Sequence, residues 1–345
     1  MRLFCSRLMT VLTVLMIGGL LLCNDSLAES GFVKRSQYLM GTIVFVTGVA
    51  PDDATAHRAV DAGLKEIRRL EELLSTWIPD SELSQVNAAA GQQPVPVSKE
   101  TMVLLKQSLE MDRLTTGGFN IAIGPAVAAW NVSDEGRVPT LHEINAIRPL
   151  IDIGNLKLNL QSGTVFLTRS DMQVDVGGIG KGFAADLAAE VMIAAGATAG
   201  VVAISGDIKT FGRMPDGQQF VFGIQHPRLE QSNVLATIEL EDEAVSTAGD
   251  YQRYFEQDGV RYHHILDPQT LQPARSTQSV TVIASQGVMA DGLDTGIFVM
   301  GPEKGMALIE RLPEVEGVIV DAEGNVTISS GLKSRLQVEG LGRKQ

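Results

Sequence analysis

The chain is poor in cysteine, in aromatic residues and in positive charge, and each shortage excludes a class of function. Its only two cysteines are Cys5 and Cys23, so a chain cleaved after residue 28 would have no disulfide, thiol nucleophile or cysteine metal ligand. The 28 lysines and arginines face 41 aspartates and glutamates, a net charge of −13. This balance argues against nucleic-acid binding, because few cations are available to neutralise phosphates. Aromatic residues make up only 5%, but 44% of the 345 residues are hydrophobic, which is ample for a core.

Residues 1–28 are predicted to be a secretory signal of bacterial type. Arg2 and Arg7 precede an apolar run over 9–23, and small residues alternate up to Ala28, as at a cleavage site. The run is short for a membrane-spanning helix. Lipid attachment at Cys23 is the alternative, although the leucine before it stands where a small residue is usual. We therefore expect an exported, periplasmic protein that is cleaved after Ala28 or, in the alternative, anchored to the inner membrane as a lipoprotein.

Hydrophobic periodicity predicts a mixture of strands and helices after this leader. The two kinds of element do not alternate strictly, and the sequence has no repeat, linker or low-complexity tract. An α+β fold with mixed sheets and helices, in a single domain over 29–345, is therefore favoured over a doubly wound sheet. The predicted elements are a strand with a Met-Gly-Thr bend over 32–48, helices over 52–77 and 101–118, a strand, a helix and a strand within 173–212, mainly strands over 220–255, a strand over 279–285, helices over 290–301 and 302–312, and a hairpin over 317–329.

Three oxygen-bearing side chains stand at helical spacing near the C-terminal end of the sequence. Asp291, Asp294 and Thr295 occupy positions i, i+3 and i+4, which places them on one face of a helix. Two carboxylates and a hydroxyl suit Mg²⁺, which keeps several waters and often bridges to substrate phosphate. Taken alone, these residues equally suit the first turn of a helix as caps and dipole partners. Both interpretations stay open on spacing alone.

The glycine-rich stretch GGIGKGF at 177–183 is the second candidate site. It matches neither common phosphate loop, because Gly182 stands where a Walker loop needs serine or threonine and Asp175 stands where it needs glycine. Glycines let a backbone approach a ligand closely, and Lys181 with the amides of the following helix would face an anion. A tight strand-to-helix turn that needs glycine only for packing explains the same residues. The stretch predicts either an anion site or a packing contact.

Two histidines and two tryptophans complete the candidates. His263 and His264 end a predicted strand, so at most one of them points into a given site. A histidine beside a substrate hydroxyl suits a general base near neutral pH, and a strand-end histidine bonded to its own turn is the structural alternative. Trp77 and Trp130 lie near loops, where each would either contact a flat ring or be buried at a helix end.

Taken in order, eight motifs resemble the ApbE family of FAD:protein FMN transferases. They extend over nearly all of the chain that follows the leader, and an ordered set is far more specific than any one motif. The matching stretches are MGT at 40–42, STWIPDSELSQVN at 75–87, GGFNIAIGPAVAAW at 117–130, VDVGGIGKGFAAD at 174–186, SGDI at 205–208, STAGDYQRYF at 246–255, HHILDPQT at 263–270 and ADGLDTGIF at 290–298.

The resemblance implies an ApbE-like fold with a T-fold-related core and a Mg²⁺-dependent reaction. FAD is split at its pyrophosphate, FMN is placed on a threonine or serine hydroxyl of an acceptor protein, and AMP is released. The acceptors it implies are subunits of membrane redox complexes, namely sodium-pumping quinone reductases and Rnf-type complexes (Nqr and Rnf type). They are recognised through a short Asp-x-x-Ser/Thr-Gly-Ala-Thr/Ser-like motif. An Mg²⁺-dependent FAD pyrophosphatase and a periplasmic flavin-binding carrier are the alternatives.

The same resemblance implies a role for twelve residues of this chain. His264 would be the base that deprotonates the acceptor hydroxyl. The flavin loops depart from the family pattern, which leaves open the balance between transfer and plain hydrolysis of FAD: Trp77 replaces a common tyrosine, and Asn120 replaces a usual aspartate. Asp291, Asp294, Thr295 and the backbone oxygen of Ala184 would hold the metal, and Met40, Trp77, Gly118, Phe119, Asn120, Lys181 and Ile265 would contact FAD.

Overall fold

The computed structural model describes residues 30–229 and 233–338, and the predicted leader with its cleavage or lipidation lies outside them. The described chain is α+β, as the sequence predicts. No helix in these two ranges is both long and apolar enough to span a lipid bilayer.

The strands are β1 (Gly31–Leu39), β2 (Thr42–Ala50), β3 (Val95–Pro96), β4 (Leu156–Asn159), β5 (Thr164–Leu167), β6 (Ala199–Ile204), β7 (Asp207–Phe211), β8 (Phe220–Gln225), β9 (Val234–Leu240), β10 (Ala244–Gly249), β11 (Tyr254–Gln257), β12 (Val260–His263), β13 (Thr277–Ala284), β14 (Glu316–Asp321), β15 (Val326–Ile328) and β16 (Gln337–Val338). The α-helices are α1 (Asp53–Leu74), α2 (Glu82–Ala88), α3 (Lys99–Leu114), α4 (Gly124–Trp130), α5 (Leu141–Ile147), α6 (Gly180–Ala194), α7 (Gly287–Met300) and α8 (Pro302–Ile309).

An antiparallel sheet of eight strands forms the centre of the fold, in the order β1-β2-β6-β7-β10-β13-β14-β15. Helices pack along it in the same order: α1 contacts β1 and β2, α6 contacts β6 and β7, α7 contacts β10 and β13, and α8 contacts β14. A small sheet of β16, β9 and β8 shares a second core with it, in which Leu235 and Ile238 of β9 join Ile283 of β13. β13 is consequently buried along its whole length.

The predicted bend at Met-Gly-Thr is the turn of the β1–β2 hairpin. Leu39 pairs with Thr42, so Met40 and Gly41 form a two-residue loop, and both have a positive φ, 52° and 69°. This conformation matches the twist of a hairpin but is uncommon for a side chain such as methionine. The Glu71 carboxylate of α1 accepts the Met40 N–H at 2.6 Å, which fixes the turn against the helix.

The strand predicted just before the glycine-rich stretch is absent, which corrects that prediction. Met172, Val174 and Val176 are buried in alternation, as in a strand, but the segment belongs to no sheet of the described chain. The side-chain amide of Asn87 instead accepts the Val174 N–H at 2.8 Å and donates to the Val174 carbonyl at 3.0 Å. A side chain therefore supplies the hydrogen bonds that a neighbouring strand would supply to this backbone. Hydrophobic alternation in the sequence is the same in both cases, so it cannot distinguish a strand from such a segment.

Helices α6 and α7 touch through glycines at their N-terminal ends. A Cβ atom on Gly182 of α6 would lie 2.1 Å from the carbonyl oxygen of Gly287, the first residue of α7. Two aspartates bond across the same junction in opposite directions. Asp186 of α6 accepts the N–H groups of Gly287 and Val288 at 2.7 and 2.9 Å, and Asp291 of α7 accepts the Gly182 N–H at 2.8 Å. Each helix thus caps the other, which fixes their relative position.

We expect Gly182→Ala to lower the free energy of unfolding by about 1–3 kcal/mol, because the added methyl group overpacks the junction. Gly180→Ala in the same helix is the matched control, since its methyl group would meet Val176 at an ordinary 3.6 Å. Helix propensity alone favours alanine by up to about 1 kcal/mol within a helix, so a loss of stability at Gly182 would come from the contact. Urea unfolding followed by circular dichroism measures both variants. Equal stability of the two would contradict the close contact between α6 and α7.

Candidate active site

A cavity of about 730 Å³ opens where α6, α7, β7 and β10 meet. It brings together residues that are far apart in the sequence, and most of the predicted site lies in its wall. Met40 and Ala184 are the two predicted residues that do not line it, although Gly41 and Thr42, next to Met40, do. The ten predicted residues in the wall are Trp77, Gly118, Phe119, Asn120, Lys181, His264, Ile265, Asp291, Asp294 and Thr295.

Three carboxylates and one ammonium group form the buried, charged end of this cavity. Asp291 and Asp294 of α7 are each 2% exposed, and Asp207, the first residue of β7, is 4% exposed. Lys181 at the start of α6 forms an ion pair with Asp207, and its Nζ lies 4.0 Å from Asp291 Oδ1. If every group is charged, the cluster has two more negative charges than positive ones, which is costly for buried groups.

Ser246 of β10 connects two of these carboxylates. Its hydroxyl lies within hydrogen-bond distance of Asp207 Oδ1 and, at 2.6 Å, of Asp294 Oδ2. A hydroxyl has a single proton to donate, so it cannot satisfy two ionised carboxylates at once. The arrangement therefore calls for an additional proton or a cation. Asp207 and Ser246 lie in the SGDI and STAGD motifs, but sequence reasoning assigned them no role.

The pKa values of the two α7 aspartates are raised for the same reason. Burial raises the pKa of Asp291 to about 7, and the negative charge of Asp207 adds to the effect. Burial also raises the pKa of Asp294 well above its usual range, reinforced by Asp291 and Asp207. Burial opposes the charge on Lys181, but the neighbouring carboxylates raise its pKa above the ordinary value. The lysine stays charged, whereas the aspartates favour a bound proton or cation at neutral pH.

The donor set fits a hard divalent cation that is partly held by substrate. In residues 30–229 and 233–338, no group of three or more histidines, cysteines, aspartates and glutamates is placed to hold a metal. Mg²⁺ commonly binds through one or two carboxylates, with waters and substrate phosphates completing its shell. Asp291 and Asp294 provide that pair, and the Thr295 hydroxyl lies 3.2 Å from Asp294 Oδ1. Ala184 is buried inside α6, where a carbonyl faces the amide four residues on, so its role stays a prediction.

The interpretation of Asp291 and Asp294 as caps of their own helix is wrong. Helix α7 begins at Gly287, so Asp291 lies a full turn inside it, and Asp186 supplies the N-terminal bonds of α7. Asp291 has a capping role only toward α6, through Gly182. Its Oδ1 remains directed toward Lys181.

The two histidines separate as strand geometry predicts. His264 lines the cavity, and its Nδ1 lies 3.2 Å from the Arg253 carbonyl. Since a carbonyl only accepts, Nδ1 carries the proton and Nε2 keeps a free lone pair. Burial lowers the pKa of His264 to about 3, which keeps the imidazole neutral at physiological pH. His263 faces away, 2% exposed, with Nε2 2.6 Å from the Ala274 carbonyl. His264 alone is available to a ligand in the cavity.

The two tryptophans also separate. Trp77 lines the cavity and is 74% exposed, so it is available to stack on a ring. Trp130 is fully buried, and its indole N–H donates to the Leu271 carbonyl at 2.8 Å, which makes it a core residue. Asn120 directs its side chain to the backbone of Ala122 and Ile151, so it shapes the loop beside the cavity.

The glycine-rich stretch serves packing and the cavity together. A Cβ on Gly178 would lie 2.9 Å from the Thr295 hydroxyl oxygen, so glycine is needed for the loop to approach α7. Gly177, Gly178 and Lys181 all line the cavity. The backbone and an ammonium group are therefore exposed to the same space, as an anion site requires.

Comparisons with known proteins agree on one family. A sequence model of the ApbE family matches residues 40–319. The chain is 37% identical over 267 residues to the FAD:protein FMN transferase of Vibrio cholerae, covering 76% of this chain and 78% of that protein. It is 33% identical to an FAD:protein FMN transferase of Klebsiella pneumoniae, covering 83% of each.

Solved structures give the same result for the fold. The crystal structure of the ApbE protein from Thermotoga maritima matches with a TM-score of 0.82 at 30% identity, covering 88% of this chain and 99% of that one. The flavin transferase ApbE from Vibrio cholerae matches with a TM-score of 0.78 at 32% identity, covering 89% and 99%.

Proposed function

This chain belongs to the ApbE family, and from that premise we propose that it transfers FMN from FAD to a threonine or serine hydroxyl of an acceptor protein and releases AMP. The observation that carries the proposal is that one cavity holds a cation-seeking aspartate pair, a charged lysine and a neutral histidine. These are the groups needed to hold a diphosphate and to activate a hydroxyl.

The diphosphate of FAD would bind at the glycine-rich stretch. Lys181 offers its ammonium group there, and the loop glycines let the backbone approach the phosphate oxygens. Asp291, Asp294 and Thr295, which lie next to this stretch, would hold Mg²⁺. The metal, when bound, supplies positive charge that neutralises the pyrophosphate and favours departure of AMP. Trp77 at the open side of the cavity offers a face for an aromatic ring.

His264 would act on the acceptor. Its Nε2 takes the proton of the acceptor hydroxyl, whose oxygen attacks the phosphorus atom of the FMN half. A new P–O bond to the acceptor forms, the bond between the two phosphates breaks, and its electron pair leaves with AMP. The negative charge of a bound diphosphate favours the protonated imidazole, so FAD binding itself would raise the low pKa of His264 and make it a better base.

The proposed setting is the periplasm, after removal of residues 1–28 or with a lipid at Cys23. The support is the basic and apolar leader of the sequence. The proposed acceptors are subunits of membrane redox complexes of the Nqr and Rnf type, recognised through the short motif given above. The metal in this proposal is Mg²⁺, as the oxygen-only donor set favours.

The test uses the chain from Glu29 onward with FAD, Mg²⁺ and a peptide that contains Asp-x-x-Ser-Gly-Ala-Thr. We expect the peptide to gain the mass of FMN while AMP appears in equal amount, and both products to vanish with EDTA. Intact mass spectrometry measures the peptide, and chromatography measures AMP. AMP and free FMN beside an unmodified peptide would instead indicate a pyrophosphatase. Unchanged FAD that stays bound would indicate a carrier.

A further inference from the structure

A second pocket, of about 240 Å³, lies beside β12, the strand that ends just before His264. His263 lines this pocket, whereas His264, the next residue, lines the main cavity. The two cavities share no lining residue, so a ligand of one would not contact the wall of the other. The polar side chains around the second pocket are Arg228, Arg261, Arg275, Asp250, His263, Thr277 and Gln278.

The lining of this pocket is strongly positive. Asp250, its one carboxylate among the described residues, accepts two hydrogen bonds from Arg228 at 2.7 Å each. Arg261 lies farther from it, with Nη1 4.0 Å from Asp250 Oδ1, and Arg275 donates to the Arg261 carbonyl at 2.5 Å. Burial lowers the pKa of His263 below its ordinary value, which favours the neutral ring. Three arginines and one aspartate leave two positive charges, and a guanidinium group pairs well with the oxygens of an anion.

Aromatic rings hold two of these guanidinium groups in place. Arg261 lies over Tyr254 at 4.0 Å from the ring centre, and Arg275 lies over Tyr262 at 5.2 Å. Glu256 is 3.5 Å from Arg261 and does not line the pocket. Stacked arginines keep their N–H groups free at the edge of the plane, so they are oriented in advance of any ligand.

Gln278 presents a buried acceptor that lacks a donor. A register shift in β13 between Thr277 and Ser279 leaves Gln278 as the extra residue of a bulge, a device that redirects a side chain. The residue is 7% exposed, and its Nε2 donates to the Ala322 carbonyl at 2.9 Å. That bond fixes the amide orientation. Its Oε1 is buried and receives no hydrogen bond from residues 30–229 and 233–338, which is costly unless a ligand or water donates to it.

We propose that this pocket binds inorganic phosphate, which near neutral pH keeps at least one P–O–H group. Its other oxygens accept from Arg261 and Arg275, and the O–H donates to Gln278 Oε1. Sulfate and carboxylates have no proton to donate at that pH, and a phosphate monoester, whose second pKa is about 6, has mostly lost its own. The unsatisfied Gln278 oxygen therefore selects inorganic phosphate over these anions, and the pocket is separate from the proposed diphosphate site.

The test measures binding of inorganic phosphate and of sulfate by isothermal titration calorimetry at pH 7.5, on the full chain without FAD. We expect phosphate to bind more tightly than sulfate by roughly tenfold or more, because sulfate leaves the Gln278 oxygen unsatisfied. Arg275→Gln should weaken phosphate binding by roughly tenfold or more, and Arg311→Gln, an exposed arginine elsewhere, should not change it. Gln278→Met should remove the preference for phosphate over sulfate.

Further titrations locate the bound phosphate and compare it with a phosphate monoester. Lys181→Met should leave unchanged the phosphate binding that depends on Arg275, and a loss of phosphate binding in Lys181→Met with none in Arg275→Gln would assign the phosphate to the main cavity and overturn the proposal. Equal affinity for phosphate and sulfate in the unmodified protein would also overturn it, whether or not Gln278→Met folds. AMP serves as the monoester probe: as a dianion without a P–O–H group at pH 7.5, it should bind no more tightly than sulfate, and AMP binding as tight as that of phosphate would contradict selection by the Gln278 oxygen. None of these results depends on flavin transfer.

Discussion

Replacing Asp291 with asparagine is expected to lower FAD turnover by about 10³-fold or more. The substitution keeps the shape of the side chain and an oxygen for the Gly182 N–H, which Asp291 accepts at 2.8 Å. It removes one of the two α7 carboxylates that would hold Mg²⁺. A group that stabilises charge in the transition state commonly contributes about 10²–10³-fold to the rate. The loss is larger where the bound metal is lost as well. Steady-state release of AMP at saturating Mg²⁺ and FAD measures the effect.

A measurement of stability distinguishes this loss of activity from unfolding of the variant. The folded-state pKa of Asp291 is raised to about 7, above its unfolded value. The free energy of unfolding therefore falls as pH rises from the unfolded pKa to the folded one, because the folded state opposes ionisation of Asp291. The full loss is present above pH 7. Asparagine removes that cost. Without metal, Asp291→Asn should be more stable than the parent at pH 8, on the order of 1 kcal/mol or more, and the difference should vanish near pH 4.

Asp186→Asn is the matched control for this variant. Asp186 lies at the same junction of α6 and α7 and is also a buried cap, accepting from Gly287 and Val288, but it does not line the cavity. Its replacement should change stability while turnover by the folded protein stays within about threefold of the parent. Full activity in Asp291→Asn would exclude both the transferase and the pyrophosphatase. Equal loss in both variants would show that the junction, and not the carboxylate, matters.

Relations between residues of one helix or strand can be predicted from the sequence, and they account for part of the candidate site. Asp291, Asp294 and Thr295 share a helix face because their spacing is local, and the alternation predicted for a strand end agrees with the two pockets that His263, the last residue of β12, and His264 line. The α+β class and the closing hairpin follow from periodicity in the same way. Predictions of this kind depend only on neighbours within one element.

What the sequence alone could not provide depends on contacts between distant elements. Asp207 and Ser246 reach the cluster from β7 and β10, 84 and 45 positions away from Asp291, and no periodicity relates them to it. The segment before the glycine turn resembles a strand, but Asn87 takes its backbone bonds. Whether an aspartate caps its own helix or a neighbouring one is likewise decided by packing. The ordered motifs indicated these regions without indicating which side chains meet.

The other large effect is expected at His264, whose replacement by glutamine should lower FMN transfer to the acceptor by roughly 10²–10⁴-fold. Glutamine can still donate to the Arg253 carbonyl that now receives the Nδ1–H, but it cannot take a proton from the acceptor hydroxyl. His264 lies in the cavity wall, and glutamine is polar and uncharged like the neutral imidazole that it replaces. FAD binding should therefore change by less than about threefold, an amount too small to account for the loss.

Two other histidines provide the contrast that assigns this effect to base catalysis. His57→Gln changes an exposed residue of α1 and should leave both transfer and stability unchanged. His263→Gln removes a buried ring that packs edge-on against Phe298 at 5.5 Å and bonds to the Ala274 carbonyl, so it should cost about 1–3 kcal/mol of stability without the loss of transfer per folded molecule. Single-turnover formation of flavinylated peptide and fluorescence titration of FAD measure the two quantities. Loss of FAD binding in His264→Gln would mean that the imidazole positions the flavin. Unchanged transfer would mean that another group takes the proton of the acceptor hydroxyl. Only retained FAD binding with slowed transfer fits a base whose Nε2 is free because Nδ1 donates to the Arg253 carbonyl.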